Sequence, residues 1–122
     1  MTQTPLKPCL FVASSHRDLA EFPACVRDEI GHALYVAQRG DEPPTAKALK
    51  GFSGRGVLEI VEDHDGNAYR AVYTVRLEGA IYVLHAFQKK SKKGSATPVP
   101  DIELIKKRLK RAEEHHRERS RS

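Results

Sequence analysis

VLEIVEDHDGNAYRAVYTVRLEGAIYVLHAFQ, residues 57–88, decides the fold. Apolar and polar residues alternate through it, and two turn signals cut it into three strands: Val57–Asp63, Tyr69–Leu77 and Ala80–Gln88. Asp65-Gly66 is a strong two-residue hairpin signal, because a type I′ turn needs positive φ at both central positions; Glu78-Gly79 is a weaker one. If these pairs are the loops, His64 lies opposite Asn67, Val61 opposite Arg70, Glu59 opposite Val72, Val72 opposite His85, Arg70 opposite Phe87 and Leu77 opposite Ala80. One face of the meander then collects Glu59, Arg70, Val72, Thr74, Arg76, Val83, His85, Phe87 and Lys89. The other collects Leu58, Ile60, Ala71, Tyr73, Val75, Leu77, Tyr82, Leu84 and Ala86, and is apolar enough to carry helices.

Upstream, Leu10–Ala13 is a short strand-type run. Ser15 with Asp18 fits a capping box opening a short helix. Pro23 suits the first turn of a second helix, with Val26, Ile30, Ala33, Leu34 and Ala37 on one face and Gly40 as its stop. Residues 41–56 read as a loop punctuated by Pro43, Pro44, Gly51, Gly54 and Gly56, with Lys47 and Lys50 as exposed charges. Downstream, residues 94–100 read as a linker, and Asp101 caps a last helix with the stripe Ile102, Ile105, Leu109 and Ala112. Past Ala112 the sequence is charged and is expected to fray. The expected class is α+β: a mainly antiparallel sheet of about four strands, two N-terminal helices and a C-terminal helix, with the helices against one face. The chain reads as one domain, its ordered core about residues 8–112 and its charged tail 113–122.

Charge is distributed unevenly. Residues 1–88 carry 9 Lys+Arg and 11 Asp+Glu, a net of −2, whereas residues 89–122 carry 12 and 5, a net of +7. The run Lys89, Lys90, Lys92, Lys93 follows directly on the last strand. A near-neutral body with its positive charge gathered at one end of a sheet is the footprint of a polyanion binder. No apolar stretch approaches the length that spans a bilayer, and the start MTQTPLKPCLF lacks a signal-peptide pattern, so a cytoplasmic location is expected. Cys9 and Cys25 read as small buried apolar side chains, His115 and His116 as solvated, and no metal-ligand spacing is present.

The polar face holds a carboxylate, an arginine, a histidine, an aromatic and lysines near one end. Each has a structural reading. Arg70 pairs with Glu59, His85 is a half-buried spacer, Phe87 is core, and the lysines blunt a strand edge. Their convergence beside a lysine-rich loop is the composition that grips RNA phosphates and stacks a base.

Leu49-Lys50-Gly51, Val57-Leu58-Glu59-Ile60, Tyr69-Arg70-Ala71-Val72-Tyr73 and Leu84-His85-Ala86-Phe87-Gln88-Lys89-Lys90 together resemble the RelE/ParE superfamily of toxins, and within it the HigB-like, phage-derived branch. Residues 101–109 resemble that branch's final helix. The resemblance implies a RelE-like fold and a type II toxin that cleaves messenger RNA without a metal or other cofactor. Cleavage would often take place in the ribosomal A site, with neutralisation by a helix-turn-helix antitoxin. Carried over, Arg70 matches the active-face arginine, and Lys89 and Lys90 match the basic residues closing the last strand. Glu59 stands where other members place a polar or basic catalytic side chain. Unlike the RelE branch, the chain lacks a basic second strand and ends in a helix where that branch has a strand bearing a catalytic tyrosine. Tyr73 fits the motif but falls on the core face.

The expected chemistry is attack of the substrate's own 2′-hydroxyl on the adjacent phosphate. Arg70 would grip the phosphate, Lys89 and Lys90 would add charge, and Glu59 or else His85 would act as base. Lys47, Lys50, Phe87, Lys92, Lys93, Lys106 and Lys107 would bind RNA, joined by Lys110 and Arg111 on the last helix. Removing Arg70 is expected to abolish activity with the fold intact. The rivals are a non-enzymatic ParE-like toxin that binds DNA gyrase and a plain nucleic-acid-binding module; an antitoxin is disfavoured because no helix-turn-helix spacing is present.

Overall fold

The computed structural model describes residues 5–52, 56–90 and 96–121. The elements run β1 (Cys9–Phe11), α1 (Ser15–Ala20), α2 (Ala24–Gln38), β2 (Ala46–Ala48), β3 (Val57–His64), β4 (Asn67–Thr74), β5 (Ile81–Lys90) and α3 (Val99–Arg121). They build one five-stranded sheet in the order β1-β5-β4-β3-β2. The sheet is mixed: β1 runs parallel to β5, and the other pairs are antiparallel. The expected sheet of about four mainly antiparallel strands is therefore corrected in two respects. Ala46–Ala48, read as loop, is a fifth strand pairing with Leu58–Ile60. The first strand joins β5 in parallel, a pairing that needs a long crossover, which α1 and α2 with the strands after them supply.

The first hairpin forms as its turn chemistry dictates. Asp65 and Gly66 take φ of 48° and 79°, and His64 pairs with Asn67. The second connection also turns on Glu78-Gly79, where the Ala80 amide donates to the Leu77 carbonyl at 3.2 Å, but the strand pairing ends earlier, at Thr74 and Tyr82. After Thr74 the chain stays in step with the strand before it: the Val75 amide donates to the Gly56 carbonyl at 2.8 Å, and the Thr74 hydroxyl donates to the same oxygen at 2.7 Å. The strands rejoin with a register shift, so that Val72 faces His85 but Tyr73 faces Val83. Leu84 is the extra residue of this bulge. From the bulge onward the faces exchange: Val83 turns to the α2 side and Tyr82 to the α3 side, opposite to the expected placement.

Helices cover both faces, not one. On one side Leu19, Phe22, Val26, Ile30, Ala33 and Leu34 of the N-terminal helical region pack on Leu58, Ile60, Ala71, Tyr73 and Val83. On the other, Ile105, Leu109 and Ala112 of α3 pack on Val57, Val72, Tyr82 and Leu84. α2 stops as expected: Gly40 is at φ 92°, its amide meets the Ala37 carbonyl at 2.9 Å, and the Asp41 amide meets the Val36 carbonyl at 3.2 Å, a Schellman closure. The α1 cap lies one residue earlier than expected. Ser14 bonds Asp18 at 2.8 Å, while Ser15 turns inward to the Val83 carbonyl at 3.1 Å. α3 continues past Ala112 to Arg121, and Tyr82 holds it there through a 2.8 Å bond between its hydroxyl and His115 Nδ1.

Candidate functional site

Two rows of side chains cross the α3 face of the sheet. Pairing places Lys47, Glu59, Val72 and His85 in one row, and Val61, Arg70 and Phe87 in the next. The arginine and the carboxylate sit diagonally and meet. Arg70 Nη1 donates to both carboxylate oxygens of Glu59, at 3.3 and 3.2 Å, and the two residues are 5% and 2% exposed. Thr97, just ahead of α3, closes the triangle: it accepts from Arg70 Nη1 at 3.1 Å and donates to Glu59 Oε2 at 2.7 Å. Both charges are out of water, so each depends on the other's presence.

This triangle is the floor of a cavity of about 230 Å³. Ala48, Leu49 and Ile102 supply its apolar walls, and the exposed Lys47 and Lys50 stand at its edge. Two lysines and an arginine against one carboxylate leave the lining cationic, which suits a phosphate group. Lys47 owes its place to β2: the strand that the sequence did not reveal sets it directly opposite Glu59.

The remaining expected residues are placed differently from a row of open catalytic groups. His85 Nε2 lies 2.8 Å from Asp101 Oδ1, and its Nδ1 lies 3.4 Å from Arg108 Nη1. A neutral imidazole donating to Asp101 and accepting from Arg108 satisfies both contacts. Phe87 stacks on His85 with ring centroids 4.6 Å apart and planes at 16°, so its inner face is taken by a neighbour. Lys89 donates to the Ala96 carbonyl, and Lys90 ends β5 opposite Asn67. Lys92 and Lys93 lie outside the described residues. Lys106, Lys107, Lys110 and Arg111 are exposed on α3.

Arg108 was not among the expected site residues, yet it ties α3 down. It donates to the Leu84 carbonyl at 2.9 Å and to Ser14 Oγ at 3.2 Å. Burial holds its pKa below the ordinary arginine value, and Arg111 adds to this while Asp18 opposes it. Thr97 was missed because a threonine in a linker carries no periodic signal; Asp101 read as a helix cap and acts as the partner of His85. Tyr73 is fully buried on the α2 side, with burial, then Glu42, pushing its pKa up. The cysteines do not match their expected burial: Cys9 is half-buried, and Cys25 is exposed, with His64 Nδ1 at 3.4 Å from its sulfur. Among the described residues no group of three or more His, Cys, Asp or Glu side chains is arranged to hold a metal ion, and no helix is long and apolar enough to cross a membrane.

A mixed sheet between helices, with a buried arginine–carboxylate pair under a cationic rim, defines a small α+β domain. The chain belongs to the phage derived protein Gp49-like family (DUF891), whose model matches residues 17–110, a span that includes every described residue of the cavity. This is a RelE/ParE-like toxin family, which gives the chain a toxin role in broad terms. No curated protein and no solved structure matches the chain.

Proposed function

We propose that the protein is the toxin of a type II toxin–antitoxin pair, of the HigB-like kind, and that it cleaves messenger RNA on the ribosome through the substrate's own 2′-hydroxyl. One observation carries the reading: Arg70 is held at the floor of a nucleotide-scale cavity with Lys47 and Lys50 at its edge. In-line attack on a phosphate builds negative charge on the non-bridging oxygens, and this is where fixed cations act. Arg70 meets that charge. Lys47, across from Glu59, is placed to protonate the departing 5′-oxygen. Glu59 Oε1 takes one long bond from Arg70 at 3.3 Å and is the nearest acceptor for the 2′-hydroxyl proton. Glu59 is already committed to Arg70 and Thr97, so charge stabilisation carries more of the rate than proton abstraction. His85, bonded through both nitrogens, is not the base. The exposed cations of α3 then contact ribosomal RNA, and a helix-turn-helix antitoxin neutralises the toxin.

The test is transcriptome-wide mapping of RNA 5′ ends after brief induction in a bacterial host, comparing the wild type with Arg70→Lys. Lysine keeps a positive charge near Glu59 but loses the planar fork. New 5′-hydroxyl ends inside translated frames, made by the wild type and lost in the variant, are expected. Growth arrest without new ends would overturn the ribonuclease and favour a protein-binding toxin of the gyrase-directed kind.

A further inference from the structure

We infer that Thr97 is a positioning residue of this site, and that His85 and Lys89 serve the site by holding the segment that carries it, residues 96–101, a strap from the loop into the first turn of α3; the inference rests on the ribonuclease reading above. The arginine–carboxylate contact is end-on. Both carboxylate oxygens reach the same nitrogen, Nη1. The hydroxyl of Thr97 supplies a third point. It binds that nitrogen and the carboxylate together, at 3.1 and 2.7 Å, and a β-branched side chain has few rotamers in which to swing away.

Among the described residues the strap has two side-chain attachments to β5. Lys89 holds it through the Ala96 carbonyl, one residue before Thr97. His85 holds it through Asp101, in the first turn of α3. Phe87 backs His85 by stacking, and Arg108 reaches the imidazole from the next turns of α3. The polar residues of the candidate face therefore form a chain of support, from β5 to the strap, from the strap to Thr97, and from Thr97 to Arg70.

The experiment compares Thr97→Val, which keeps the shape and removes the hydroxyl, with Thr97→Ser, which keeps the hydroxyl. Cleavage is measured on mRNA-programmed ribosomes under saturating and subsaturating conditions. Thr97→Val should lower kcat by about 10- to 100-fold, the scale of a small misplacement at a reacting centre, with KM unchanged. Thr97→Ser should stay within about threefold of wild type, a rescue that depends on the hydroxyl and not on side-chain shape. Equal cleavage by wild type and Thr97→Val would overturn the inference. A second readout is independent of cleavage: the side-chain N–H resonances of Arg70 in the protein alone. They should be protected from exchange in wild type and Thr97→Ser and lose that protection in Thr97→Val. If the wild type cuts no RNA, the ribonuclease reading falls. Arg70 signals unchanged in Thr97→Val would then overturn the positioning role separately.

Discussion

Replacing Arg70 tests how deeply the candidate site is built into the fold. Glu59 is 2% exposed, and its carboxylate has Arg70 as its countercharge and Thr97 as a neutral partner. Arg70→Met removes the charge and leaves the stem. Breaking a buried ion pair by deleting one partner costs about 3–5 kcal/mol, because the other charge stays behind in a poor solvent. The bond from Thr97 and the adjoining cavity, which admits water, place this case near the lower end, about 3 kcal/mol. In a domain of this size that is a fall of about 10 °C in Tm. Glu59→Leu alone should cost a similar amount. The double variant Glu59→Leu/Arg70→Met should lose no more than about 1 kcal/mol, since no charge is then stranded. Urea unfolding followed by far-UV circular dichroism measures all four corners of the cycle, with an unchanged m-value as the control on the unfolded state. Single variants costing under about 1 kcal/mol each, adding without coupling, would refute the burial argument. The same reasoning corrects the expectation that Arg70 can be removed with the fold intact, and it is why activity is tested with Arg70→Lys.

Two further outcomes follow from groups outside the cavity. Burial pushes the Cys9 thiol up from 9.0 to about 11, so the folded state keeps a proton that the unfolded chain gives up. Its contribution to stability is complete below pH 9 and is lost as the pH rises towards 11; a Cys9→Ala variant should show a flatter stability profile over that window, and an unchanged profile would refute the cause. At the end of α3, Tyr82→Phe deletes the 2.8 Å bond to His115 and should cost about 0.5–1.5 kcal/mol. Amides of residues 113–121 should exchange faster in it, and unchanged exchange would mean that the last turns are held by something else.

What the sequence made legible was local chemistry. Asp65-Gly66 fixed a turn and hence the pairing of Val61 with Arg70; from the other direction Gly40 fixed the end of α2. The register survived as far as Val72 and His85. It failed at Leu84 because an extra residue in β5 leaves no mark on the apolar–polar pattern, while β4 stays in step with β3 through Thr74. β2 was illegible because a three-residue Ala-Lys-Ala strand is too short for its alternation to stand out from a loop. The second helical layer was missed for a different reason. Glu59, Arg70 and His85 mark a face as solvent-exposed under any apolar–polar pattern, yet here Glu59 and Arg70 neutralise each other and His85 bonds Asp101, so the face can be buried. Their bonds lie across strands and to a linker, which spacing along the chain does not encode.

That burial also changes what the excess of positive charge does. Lys89, the described start of the lysine run, is partly committed to the strap, and Arg108 to the seat of α3. The exposed cations are divided between the cavity edge, Lys47 and Lys50, and the outer surface of α3, Lys106, Lys107, Lys110 and Arg111. A rigid duplex can lie along α3, but it cannot carry a phosphate down to an arginine that is 5% exposed. On the proposed reading a splayed, unpaired nucleotide would, its phosphate leading and its base meeting the apolar walls Leu49 and Ile102. On the proposed ribonuclease reading, affinity and access would be separated in space: the helix would supply salt-sensitive attraction to a nucleic-acid backbone, and the cavity would admit only a strand already opened.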